Sequence, residues 1–111
     1  MKESDVIAAL GALAHQTRLR IFRLLVTVGP EGLSVGRIGA EIGGPADSTL
    51  SFHLSDMRQA GLLRCRREGR SLIYAADFEA MTALLGFLTE NCCQGKVEPC
   101  CALPAAEKID G

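Results

Sequence analysis

Two adjacent cysteine pairs, Cys92-Cys93 and Cys100-Cys101, lie close together near the end of this 111-residue chain. They flank the short loop Gln94-Gly95-Lys96-Val97-Glu98-Pro99, whose glycine and proline let it fold back so that three or four sulfurs can converge. The thiolate is the ligating form of cysteine, and soft, thiophilic ions prefer sulfur. Trivalent arsenic takes three thiolates in a pyramidal centre, and Cys92 and Cys93 with either Cys100 or Cys101 would supply them. Closed zinc sites usually space their ligands as C-x2–4-C, which adjacent pairs do not. Cys65, the fifth cysteine, alternates with Leu63 in an extended stretch and reads as a small buried hydrophobe.

A second set of residues suits a polyanion. The net charge of −1 says little, but its distribution is uneven. Arg58, Arg64, Arg66, Arg67 and Arg70 crowd residues 51–75 against only Asp56 and Glu68, while residues 76–111 are acidic. Arg66, Arg67 and Arg70 surround Gly69, so a tight hairpin would carry a basic tip fit for phosphates or a minor groove. Upstream, the stretch Asp47-Ser48-Thr49-Leu50-Ser51-Phe52-His53-Leu54 sets Ser48, Thr49, Ser51 and Phe52 away from the Leu50–Leu54 stripe. Small hydroxyl residues near a helix start can approach a groove closely and bond to phosphates or base edges. Arg58 follows on the same helix. Asp47 reads as a cap, since phosphate would repel it, and His53 sits beside the leucine stripe, where a buried, hydrogen-bonded role competes with a base contact.

The periodicity supplies the elements that must hold these groups. Residues 4–14 carry Val6, Ile7, Leu10, Leu13 and Ala14 at helical spacing, and residues 17–28 carry Leu19, Ile21, Phe22, Leu25 and Val28, with Thr17 as the expected N-cap. After the break at Gly29-Pro30-Glu31-Gly32, Ser34 caps a short helix with Val35, Ile38 and Ile42. A turn at Gly43-Gly44-Pro45 leads to a helix with Leu50, Leu54 and Met57 on one face, stopped by Gly61. Strands are predicted over Leu62–Arg66 and Ser71–Ala75, then a helix over residues 77–91 with Phe78, Met81, Leu84, Leu85 and Leu88, with Tyr74 in the core. The predicted fold is mostly α with a β-hairpin wing, a winged helix-turn-helix. Residues 1–91 are expected to form one DNA-binding and dimerisation domain and residues 92–111 a cysteine-rich tail carrying the inducer site, whose last ten residues read as disordered. No run of about 18 apolar residues suggests a membrane span. The start Met1-Lys2-Glu3-Ser4-Asp5 lacks the layout of a secretory signal, so a cytoplasmic protein is expected, in which a structural disulfide framework is not.

Four stretches in register, His15-Gln16-Thr17-Arg18-Leu19-Arg20-Ile21-Phe22-Arg23-Leu24-Leu25, Ser48-Thr49-Leu50-Ser51-Phe52-His53-Leu54, Ala60-Gly61-Leu62-Leu63 and Arg67-Glu68-Gly69-Arg70 with Tyr74, resemble the ArsR/SmtB family of metalloregulatory repressors. The resemblance spans roughly residues 5–90. It implies a homodimer paired through the first and last helices, with the helix of Ser48–His53 reading an inverted-repeat operator in double-stranded DNA. Some members carry a Cys-x-Cys pair around the third or fourth helix, but here residues 34–41 hold no cysteine. Zinc-sensing relatives place Asp and His on the last helix, but here residues 77–91 hold no histidine. Some arsenite-responsive members end that helix in a Cys-Cys pair with further cysteine beyond, as at Cys92, Cys93, Cys100 and Cys101. The expectation is an arsenite-responsive repressor with As(III) as inducer, no organic cofactor and no enzymatic activity. Rival signals are cadmium, lead, mercury, antimonite or an organoarsenical at the same thiolates, or oxidants and sulfide acting through disulfide chemistry. A thiol-enzyme reading lacks support, because the chain has no Cys-x-x-Cys motif, no βαβ pattern and no His-paired nucleophile, and a structural zinc module would unfold under chelation.

Overall fold

The computed structural model describes residues 1–95. The expected ligands Cys100 and Cys101, and most of the predicted tail, lie outside the described residues. The elements run α1 Glu3–Leu13, α2 Gln16–Val28, β1 Leu33–Ser34, α3 Val35–Ile42, α4 Asp47–Gln59, β2 Leu63–Glu68, β3 Ser71–Ala76 and α5 Phe78–Leu88. A single 3-10 turn, Cys92–Gly95, follows. This is the predicted mostly helical architecture with a β-hairpin wing.

Capping sets several of these boundaries. Ser34 Oγ accepts from the Arg37 N–H at 3.3 Å and starts α3 as expected. Asp77 starts α5 by accepting from the Ala80 N–H at 3.0 Å. Two caps differ from expectation. His15, not Thr17, caps α2, its Nδ1 accepting from the Thr17 N–H at 3.1 Å. Asp47 is the first residue of α4 rather than its cap; Ala46 holds that position and offers no side-chain acceptor.

The sheet has one more strand than predicted. β1 joins the hairpin in the order β1-β3-β2, all antiparallel, with Leu33 opposite Tyr74 and Leu63 opposite Ala76. Gly32 leads into β1 at φ +70°, and a Cβ there would collide with the Tyr74 carbonyl, so only glycine fits. The wing strands extend to Glu68 and Ser71, which face each other across the two-residue loop Gly69-Arg70. Gly69 has φ +62°, and a positive φ at the first loop residue matches the right-handed twist of the strands.

The core gathers Ile21 and Leu25 from α2, Ile38 from α3, and Leu50, Leu54 and Met57 from α4, with Leu62. These side chains are fully buried, each worth about 1.5–3 kcal/mol against exposure. α4 is thereby seated on α2 and α3 along one stripe, which fixes the face it turns outward. α1 departs from expectation, packing inward through Val6, Ala9 and Ala12 and leaving Ile7 and Leu10 exposed. α5 buries Leu84 but exposes Leu85, Phe87 and Leu88.

Candidate nucleic-acid interface

Helical geometry places Ser48, Ser51, Phe52 and Ser55 on one stripe of α4, opposite Leu50, Leu54 and Met57. All four are exposed, as is Thr49 at the flank. Arg58 is exposed in the last turn. The joint between α3 and α4, residues 43–46, brings two helices together in helix-turn-helix order. The predicted groove-facing residues Ser48, Thr49, Ser51 and Phe52 therefore share an accessible surface. His53 does not belong to it, because its ring is buried on the core side of α4.

Arg18 explains the place of His53. Its Nε donates to His53 Nδ1 at 3.0 Å, and its Nη2 donates to Asp56 Oδ2 at 2.7 Å. The His15 ring lies 4.7 Å from that of His53, centroid to centroid. Burial holds the imidazole of His53 below its ordinary pKa, and the Arg18 charge and then His15 push it the same way. A neutral His53 can accept from Arg18, so α4 is locked to the start of α2 by a polar junction that the sequence reading missed. Arg18 and Asp56 are 38 residues apart, and no local pattern announces such a pair.

The wing divides its arginines by task. Arg66 donates to Glu68 at 2.9 Å through Nε and to the Glu31 carbonyl at 2.9 Å through Nη2, so it braces the strand it stands on. Arg64 is held by Asp77 and Glu79, each at 3.3 Å. Arg67 and Arg70 are exposed and form no ion pair among the described residues. Their guanidinium groups are thus the accessible cations of the hairpin tip. Cys65 is half-buried against the core beside Tyr74, whose phenol is pushed above its ordinary pKa by burial and by that neighbour.

Past α5 the chain turns sharply. Asn91, Cys93 and Gln94 all adopt positive φ, a region that non-glycine residues enter at a cost. The helix ends at Leu88, three residues before the predicted end. The turn sets the sulfurs of Cys92 and Cys93 3.7 Å apart, with Cys93 exposed. No group of three or more His, Cys, Asp or Glu able to hold a metal ion occurs among the described residues.

A three-helix core, a helix-turn-helix joint and a basic antiparallel wing define a winged helix-turn-helix DNA-binding protein. Residues 13–66 match the helix-turn-helix domain family. The regulator YgaV of Escherichia coli K12 is 34% identical over 86 residues, covering 78% of this chain and 84% of that protein. A "possible transcriptional regulator for arsenical resistance" of known structure is 30% identical, with TM-score 0.61, covering 72% of this chain and 79% of that one. The homodimeric winged helix-turn-helix DNA-binding domain of Mb0332 from Mycobacterium bovis, described as a possible ArsR-family regulator, superimposes with TM-score 0.62 at 26% identity, covering 86% and 87%. The chain belongs to the ArsR family of helix-turn-helix transcriptional regulators. No helix among the described residues is long and apolar enough to cross a membrane.

Proposed function

We propose that this regulator is a repressor that binds operator DNA as a homodimer and releases it when arsenite, or a closely related thiophilic ion, is captured by Cys92 and Cys93 with one of Cys100 or Cys101. The observation that carries this reading is the 3.7 Å separation of the Cys92 and Cys93 sulfurs just past the end of α5. Two sulfurs bonded to one ion at about 2.3 Å can stand at most about 4.6 Å apart, so a pair at 3.7 Å can reach a shared ion with little movement. Adjacent Cα atoms are only about 3.8 Å apart, below the usual disulfide span of about 4.4–6.8 Å. The adjacent pair thus suits a shared ion better than a disulfide to each other. The likeness to a "possible transcriptional regulator for arsenical resistance" favours arsenic among the soft ions.

In this reading Ser48, Thr49, Ser51 and Phe52 meet base edges and nearby phosphates, and Arg58, Arg67 and Arg70 meet the backbone. Arg66 and His53 act one step back, as braces of the wing and of α4. The apolar side chains Ile7, Leu10, Leu85 and Leu88, all exposed, fit a dimer paired through α1 and α5. That arrangement puts Cys92 and Cys93 at the end of a dimerisation helix, where binding an ion can alter the spacing of the two recognition helices. Nearly complete release requires about 10⁴-fold stronger ion binding to the free dimer than to the DNA-bound one.

The test follows binding of the DNA upstream of the gene by fluorescence anisotropy, under reductant, while arsenite, cadmium and zinc are titrated separately. Arsenite is expected to release the DNA, and Cys92→Ser with Cys93→Ser to abolish release without weakening binding. Release by oxidant alone, reversed by reductant, would replace the ion with thiol oxidation as the signal.

A further inference from the structure

Phe52 is the one large apolar side chain on the outward stripe of α4, and it is 60% exposed. Phe22 is buried in the core and Phe78 packs against it. The neighbours of Phe52 on the stripe, Ser48, Ser51 and Ser55, are small and uncharged, so they let the helix backbone come close to a groove floor while the phenyl ring projects beyond them. The His53 imidazole lies beside one side of the ring, 6.2 Å away and tilted 59°. A phenyl ring offers base edges no conventional hydrogen bond. In the major groove the apolar feature that distinguishes base pairs is the thymine 5-methyl group.

We propose that Phe52 selects thymine, by seating its ring against a 5-methyl group in the major groove of each operator half-site. This rests on the reading of α4 as the recognition helix. The hydroxyls of Ser48, Thr49 and Ser51 then hold the helix in register, while Phe52 makes the operator rich in A·T pairs at one defined position per half-site.

Deoxyuridine tests this directly, because it keeps every hydrogen-bonding group of thymine and lacks only the methyl. The full-length protein is used to select its tightest duplex from a random pool, and each thymine is then replaced by deoxyuridine in symmetric pairs. One symmetric position is expected to weaken wild-type binding by about fourfold per methyl, about fifteenfold for the pair. Phe52→Ala is expected to bind more weakly and to tolerate deoxyuridine at that position with no further loss. Its unfolding midpoint should match wild type, since Phe52 lies outside the core. The proposal is overturned if wild type binds its selected duplex tightly and no deoxyuridine pair matters, or if Phe52→Ala keeps the full deoxyuridine penalty. In both cases DNA binding itself stands. If wild type selects no duplex over random sequence, the recognition-helix reading fails, and the thymine proposal with it.

Discussion

Replacing Arg18 with methionine keeps a long, largely apolar stem and removes both bonds that tie α2 to α4. The Arg18 side chain is only 15% exposed, and its Nη2 lies 2.7 Å from the Asp56 carboxylate, which is 38% exposed. A hydrogen bond to a charged group contributes about 1.5–3 kcal/mol, and water at Asp56 moves this pair to the lower end. His53 Nδ1 is buried and would lose its donor, which costs about 1–3 kcal/mol more. Together these give a loss of about 2.5–4.5 kcal/mol, a large share of the 5–15 kcal/mol typical of a folded domain. Urea unfolding at one fixed protein concentration measures it, because dimer stability depends on concentration. With a slope of about 2 kcal/mol per molar urea, the midpoint should fall by about 1–2 M at unchanged slope. Adding Asp56→Asn to the Arg18→Met background should cost little more, since the two residues share one interaction. A loss under about 0.5 kcal/mol for Arg18→Met would refute the account of the junction.

Three further outcomes are expected. Because His53 titrates lower in the folded protein than its ordinary value of 6.5, the unfolded chain binds the proton more readily; stability should be full above about pH 6.5 and decline as pH falls below it. Thermal unfolding across that range, with His53→Gln flattening the decline, checks the sign. Arg67→Ala with Arg70→Ala should lower the salt dependence of operator binding by about 2–4 units of the log–log slope for a dimer, whereas Arg64→Ala, already paired with Asp77 and Glu79, should barely change it. Gly32→Ala forces a positive φ and a collision with the Tyr74 backbone, and should destabilise the domain by about 2 kcal/mol or more in the same urea experiment.

The sequence carried the order of elements because the apolar periods of α2 and α3 are clear, Leu50, Leu54 and Met57 mark one face of α4, and the breaks fall at glycine and proline. It carried the outward stripe of α4 for the same reason, since fixing Leu50, Leu54 and Met57 inside fixes Ser48, Ser51 and Phe52 outside. Phase failed in α1, where apolar residues occupy two faces: Ala9 and Ala12 are small enough to pack closely, so Ile7 and Leu10 turn outward. β1 was invisible because two residues cannot show alternation. The cap of α2 was misplaced because hydroxyl and carboxamide side chains dominate cap preferences, while here an imidazole nitrogen accepts the bond. The Arg18–His53–Asp56 junction and the bond from Arg66 to the Glu31 carbonyl link distant segments, and only three-dimensional placement reveals them. The cysteine pairs stand out by type and spacing alone as candidate ion ligands, and Cys100 and Cys101 lie outside the described residues.

Under the proposed function, ion capture at Cys92 and Cys93 and operator binding oppose each other through one dimer. Such coupling is reciprocal, so its most direct measurement is the arsenite affinity of the reduced full-length protein, free and saturated with operator duplex. Weaker arsenite binding to the DNA complex is expected, by the same factor as arsenite weakens operator binding, with loss of both effects in Cys92→Ser with Cys93→Ser. Equal arsenite affinity with and without DNA would contradict it.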